Sequence, residues 1–233
     1  MARFHLFGPS PVTRVAEADS VAVIGLGRFG QSLALELMQD GGVEVLGIDT
    51  DPVTVQSLNG RLTHVVAADS TQEEVLRQLS IPDFDRVVVA IGGDLEASIL
   101  TTSLLLEFGI RDVWAKAVSD AHGAILKRLG VSHVVYPEKD TGRKVAHLVR
   151  GAMQDYVELG DDFAAVRTTP AKDLVGKTIR EAAVRDRYGV VITALKRPGH
   201  PWEHALGDTV IGAEDLLLVT GPTKKAESFS RMR

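Results

Sequence analysis

One stretch of the chain carries residue types suited to holding a charged ligand: Gly25-Leu26-Gly27-Arg28-Phe29-Gly30. It follows the apolar run Val21-Ala22-Val23-Ile24 and opens a segment, Phe29 to Met38, with helical apolar spacing. Glycine at position 25 permits a tight turn, Gly27 lets backbone approach a pyrophosphate, and Gly30 allows the helix to sit close to the strand. The amides and dipole of the helix start then favour an anion. Nineteen residues after Gly30, a second strand ends in Asp49. An acid there accepts hydrogen bonds from ribose hydroxyls and repels a 2′-phosphate, which disfavours NADP. The alternative for Asp49 is a solvated strand-end acid.

Arg28 sharpens the choice of ligand. Its charge opposes the dipole at a helix start unless an anion compensates it. A diphosphate already has backbone donors, so an added guanidinium suits a third phosphate and favours ATP or ADP over NAD. A plain exposed arginine is the alternative. Asp69 and Ser70 follow the third strand, where Asp69 is placed either to reach a bound base or ribose or to start the next helix. Asp51 reads first as a helix cap before Pro52 and second as a ligand to the ribose. Ile91 and Gly92, where the fourth strand gives way to glycines, complete the loop set. Lys116 ends a further strand, and ligands of open α/β sheets lie beyond the carboxyl ends of strands; otherwise its stem covers apolar surface. Glu138, just after Pro137, suits the first turn of a helix.

These residues need a scaffold, and the chain spells one. Apolar runs at 43–48, 63–67, 86–91, 113–117 and 132–135 alternate with helical patterns at 94–108 and 121–129. Ser70-Thr71-Gln72-Glu73 has the form of a capping box opening another helix. Together they predict an α/β fold, a Rossmann-like doubly wound parallel sheet, over residues 20–136. Residues 1–19, with two prolines and little periodicity, read as a flexible N-terminal tail. Residues 137–153 read as a connecting helix with Val145, Leu148, Val149 and Ala152 on one side, and the boundary between the two parts falls within it near Gly151. Residues 154–233 read as a small α+β subdomain: short strands at 156–159, 164–168, 190–195 and 216–219 around one helix, 178–187. His200 and His204 fall in a proline-containing, hairpin-like loop and read as surface residues.

Composition narrows the classes. A formal charge of −5 argues against a nucleic-acid partner. The absence of cysteine removes disulfides, thiolate metal sites and cysteine nucleophiles, and fits a reducing cytosol. The start lacks the long apolar run of a secretory signal. The most apolar stretch, 87–108, is broken by Gly92-Gly93-Asp94 and Glu96, so it reads as two packed elements rather than a membrane span.

The motifs together resemble the KtrA/TrkA-type potassium-uptake regulatory subunits, built from an RCK domain. The resemblance rests on Val23-Ile24-Gly25-Leu26-Gly27-Arg28-Phe29-Gly30, on Asp49 with Asp51, and on Ala68-Asp69-Ser70-Thr71. It continues at Ala115-Lys116-Ala117, Tyr136-Pro137-Glu138-Lys139-Asp140 and Leu174-Val175-Gly176-Lys177-Thr178-Ile179-Arg180-Glu181, covering roughly residues 20–222. It implies an RCK N-terminal domain, a crossover helix that exchanges contacts between protomers, and an RCK C-terminal subdomain. It implies dimers forming an octameric ring, at the inner face of the cell membrane, on a KtrB/TrkH-like potassium-translocating subunit. ATP and ADP would favour different ring shapes. By resemblance, Arg28 approaches the terminal phosphate, Lys116 lies near the same site, and Glu138 binds a cation (Mg²⁺, Ca²⁺ or Na⁺) at the dimer interface. Two symmetry-related carboxylates there would repel, and a hard cation would relieve this. Some members bind cyclic di-AMP at the C-terminal subdomain, for which no cluster here is diagnostic. Asp51 departs from the asparagine frequent at its position, which puts nucleotide preference in question.

Three functions stay in view: a regulatory module gated by ATP and ADP, an NAD- or NADH-responsive sensor of the same fold, and an NAD-dependent oxidoreductase. The last needs a substrate domain presenting an acid or base to the nicotinamide. The small C-terminal module offers none beside an expected cleft, so a non-enzymatic role is expected.

Overall fold

Strands buried on both faces should read as unbroken apolar runs, and the first strand does: β1, Ser20–Ile24, is buried at every position. In the computed structural model, which describes residues 20–39, 43–150, 153–160 and 162–232, β1 leads through the glycine loop into α1, Arg28–Gln39. There follow β2 (Glu44–Asp49), α2 (Pro52–Leu58), β3 (His64–Ala67), α3 (Glu73–Gln78), β4 (Arg86–Val89), α4 (Leu95–Glu107), β5 (Asp112–Lys116), α5 (Asp120–Leu129) and β6 (His133–Val135). A short 3₁₀ turn, Ile81–Asp83, precedes β4. The expected tail at 1–19 and the position near Gly151 where the boundary is expected lie outside the described residues.

The six strands are parallel in the order β3-β2-β1-β4-β5-β6. The chain therefore winds outward in one direction from β1 and in the other from β4, which opens a crevice at the carboxyl ends of those two strands. Two apolar cores flank the sheet. One packs Ile24, Leu46, Leu76, Leu105 and Leu126 on the side of α3, α4 and α5. The other packs Val23, Leu26, Ala34, Val45 and Leu58 on the side of α1 and α2. Each fully buried leucine of this kind contributes roughly 1.5–3 kcal/mol.

The chain divides into two compact units between Glu138 and Lys139. Helix α6, Pro137–Arg150, spans that division. The second unit contains β7 (Asp155–Gly160), β8 (Phe163–Thr168), α7 (Ile179–Ala182), α8 (Val184–Tyr188), β9 (Val191–Lys196), β10 (Trp202–His204), β11 (Leu216–Pro222) and α9 (Thr223–Ser230). Its antiparallel sheet has the order β10-β9-β11-β8-β7, and Leu174, Leu195, Ile211, Leu217 and Phe229 centre its core. Within this unit α6 is fastened by polar contacts. Lys144 pairs with Asp155 at 2.8 Å and Arg143 with Glu158 at 3.1 Å. His147 stacks on Tyr156 with ring centroids 4.1 Å apart and hydrogen-bonds Glu227 on α9.

Three expectations are corrected. The helix expected over 178–187 is two short helices, because Ala183 adopts a left-handed conformation (φ 45°). The capping box lies at Thr178, not Ser70: Thr178 and Glu181 satisfy each other's backbone amides, whereas α3 begins at Glu73 with no side-chain cap. His204 sits on the edge strand β10, paired opposite Ala194, rather than in a loop. Among the described residues no helix is long and apolar enough to cross a membrane.

Candidate nucleotide-binding cleft

The three glycines of the loop are present for three different reasons. Gly25 has φ +91°, and a side chain there would meet the backbone of Ile91 at 2.8 Å. At Gly30 a Cβ would sit 1.9 Å from the carbonyl oxygen of Gly25, so the start of α1 lies directly on the turn that precedes it. The protein itself forbids any larger residue at both positions. Gly27 differs: a Cβ there would meet nothing within 4 Å. The space it leaves is part of an open cleft of about 620 Å³ at the carboxyl ends of β1, β2, β3 and β4.

Leu26 drives its side chain into the core, fully buried, and its amide donates to Asp49 Oδ2 at 2.6 Å. Asp49 Oδ1 accepts from the amide of Asp51 at 2.9 Å. The strand-two acid thus clamps the glycine loop and shapes its own turn while lining the cleft. Asp51 caps α2: it accepts from the amides of Val53 and Thr54 and from the Thr54 hydroxyl at 2.6 Å. Those bonds, the Thr54 hydroxyl foremost, hold its carboxyl below the usual value.

The turn after β3 is tied in the same way. Asp69 accepts from the amide and hydroxyl of Thr71 at 3.0 and 2.7 Å and from the Gln72 amide group at 3.0 Å. The Thr71 hydroxyl, then its amide, lowers the Asp69 carboxyl below its ordinary range. The Ser70 hydroxyl turns away towards α4, 2.9 Å from Thr101 Oγ1. Across the cleft, Asp94 caps α4 by accepting from Ala97 N at 3.0 Å.

At the far end of the sheet Lys116 is 9% exposed and donates to Glu138 Oε1 at 2.7 Å. Its ammonium is 5.8 Å from the Phe29 ring and would lie 3.2 Å from a Cβ on Gly92. The Lys116 hydrogen bond holds the Glu138 carboxyl below its ordinary value, with smaller help from the Arg28 charge. Loop, cleft rim and first turn of α6 thus share one charged cluster. Among the described residues no group of three or more histidines or acids is arranged to hold a metal ion. Glu138 presents a single carboxylate to any cation, already partnered by Lys116.

Of the candidate residues, Gly25, Gly27, Asp49, Asp69, Ser70, Ile91 and Gly92 line the cleft. Leu26, Arg28, Phe29, Gly30, Asp51 and Lys116 do not line it, and Gly30 and Leu26 act as support behind it. Thr50, Asp94, Ala97 and Leu100 also line it and were not among the candidates, nor was Thr71, which the sequence offered only as part of a capping-box pattern and of the Ala68-Asp69-Ser70-Thr71 motif. Of these, Thr71 carried a signal through that motif and Asp94 as a cap-type residue after Gly92-Gly93.

A TrkA-N domain model matches residues 21–137 and a TrkA-C domain model residues 163–232. The chain is 38% identical to the Ktr system potassium uptake protein C of Bacillus subtilis over 211 residues, 90% of this chain and 95% of that relative. It is 34% identical to the Ktr system potassium uptake protein A of Vibrio alginolyticus, over 88% of this chain and 93% of the relative. Among solved structures, the GsuK RCK domain superposes with a TM-score of 0.64 at 17% identity, over 91% of this chain and 48% of the GsuK chain. The GsuK channel gives 0.65 at 17% identity, over 93% and 40%. The chain thus spans less than half the length of these structural neighbours, and at that identity they bear on the fold alone. With both halves matched and the curated relatives covered almost end to end, the chain belongs to the KtrA/TrkA family of RCK-domain potassium-uptake proteins.

Proposed function

We propose that this chain is a regulatory subunit of a potassium-uptake system that binds ATP or ADP in the 620 Å³ cleft and so biases a membrane ion-translocating partner. The observation that carries the reading is Gly27: the protein does not need glycine there, but a phosphate chain approaching the backbone does. The first amides of α1 have no helical carbonyl to bond and point towards such an anion. Arg28 and Lys116, near the same loop, are the positive charges available to a third phosphate. Asp49, already spent on the loop, still offers lone pairs to a ribose and opposes a 2′-phosphate.

In this reading the Lys116–Glu138 pair is the switch. A terminal phosphate competes with Glu138 for the Lys116 ammonium, and Glu138 begins α6, the crossover helix. Released from Lys116, Glu138 is available to a cation shared with a second protomer. Val145 and Val149 on α6, 47% and 80% exposed, suit burial against that protomer. The dimers would assemble as an octameric ring at the inner face of the membrane, and nucleotide would shift ring shape through its different affinity for two conformations. The chain is then a gate rather than a catalyst.

Calorimetry with ATP, ADP and NAD on the purified chain tests this. ATP and ADP are expected to bind more tightly than NAD, and Arg28→Ala to lose more affinity for ATP than for ADP. Equal losses for the two nucleotides would remove the terminal-phosphate role. Tight NAD binding with turnover of a carbonyl or hydroxy acid would replace the regulator with an oxidoreductase.

A further inference from the structure

The helix α4 is buried through Ser98, Thr101, Thr102 and Leu105, so three of its four buried side chains are hydroxyls. Buried hydroxyls cost free energy unless they are bonded, and an apolar seam would hold the helix at least as well. Thr102 bonds back to the Ser98 carbonyl at 2.6 Å, and the Ser98 hydroxyl is buried with no partner. Thr101 is different. Fully buried, it meets Ser70, itself 5% exposed, across 31 residues of sequence at 2.9 Å.

That bond joins the two walls of the cleft. One wall is the turn after β3, which Asp69 ties to Thr71 and Gln72 and whose Ala68 amide bonds the Asp49 carbonyl at 2.9 Å. The other is the first two turns of α4, which bring Asp94, Ala97 and Leu100 to the cleft. Each wall is tied by its own hydrogen bonds, Asp69 to Thr71 and Gln72 in one and Asp94 to Ala97 in the other. The Ser70–Thr101 bond joins the two, with Ser70 in the lining and Thr101 fully buried behind it.

We propose that Ser70 and Thr101 are positioning residues for nucleotide: their bond fixes the width of the cleft and touches no ligand through Thr101. The inference rests on the proposed nucleotide-binding function. Ser70→Ala with Thr101→Val replaces both partners by apolar groups of similar shape, a change that is nearly neutral for folding. The double variant should melt as the wild type does and bind ATP and ADP about three- to tenfold more weakly, the size of one lost bond. Thr101→Ser keeps the hydroxyl but loses a buried methyl, so it should melt earlier and bind as the wild type does.

A purely structural role predicts that affinity follows stability in both variants, and that result would overturn the proposal. So would unchanged affinity in a well-folded double variant. If the double variant does not fold, Thr101→Ser against Thr101→Val decides, with weaker binding expected only for valine. Wild-type protein that binds neither nucleotide defeats the underlying function instead, and the two failures are distinguishable.

Discussion

At the scale of single residues, the loop glycines make a separable prediction. Gly30→Ala forces a Cβ onto the Gly25 carbonyl oxygen, 1.9 Å away, and should destabilise the chain by about 3 kcal/mol or more, because the obstacle is backbone rather than a flexible side chain. Gly27→Ala meets no protein atom and should leave stability within about 0.5 kcal/mol of wild type, yet weaken nucleotide binding by at least about tenfold. Thermal melting beside calorimetry checks the pair; equal melting of the two variants would contradict it. Lys116→Met should return the Glu138 carboxyl upwards to its ordinary range, read by NMR titration, since the Lys116 hydrogen bond is the main cause of its lowering. Glu138 is 68% exposed, so the accompanying change in stability should be slight.

The residue types of the site were legible in the sequence; several of their duties were not. Asp49 was readable as a strand-end acid, but its bond to Leu26 depends on how the loop folds back over β2. Ser70 looked like a cap because its local pattern fits one, and only the fold brings Thr101 to claim its hydroxyl. Long-range partners leave no local trace.

At the scale of elements, α5 carries a pH dependence. Its cap Ser119 accepts from the His122 amide at 3.1 Å, and the His122 ring is 2% exposed with Nε2 unpartnered. Burial lowers the pKa of His122 in the folded chain. Below its unfolded value of about 6.5, the unfolded state therefore binds a proton that the folded state does not. Stability should be fully present above that pH and fall as the pH drops towards the lower folded value. Denaturant unfolding at pH 7.5 and 5.5 measures the loss, which should be smaller in His122→Asn; an equal loss in the variant would remove His122 as the cause. Elements with strong apolar patterning were readable to within a residue or two, as β1, α4 and β5 show. The edge strand β10 is exposed at all three positions and so has no inward face to reveal it. Helix α9 buries only Ala226, Phe229 and Ser230, too thin a stripe to announce a helix. The break at Ala183 lacks the glycine that usually marks a left-handed residue.

At the scale of the whole molecule, the chain divides into a parallel-sheet unit and a small antiparallel unit, and the proposed function assigns the ligand to the first. The domain types followed from strand–helix rhythm and from its loss after Pro137. Assembly did not, because Val145 and Val149 of α6 are exposed and no local pattern names what they would pack against. The decisive measurement is X-ray scattering on size-exclusion-purified protein saturated with ATP and, separately, with ADP. The expected result is a particle several times the 25.1 kDa chain mass under both nucleotides, with clearly different scattering profiles. A monomeric mass, or superimposable profiles at saturation, would contradict the gating role.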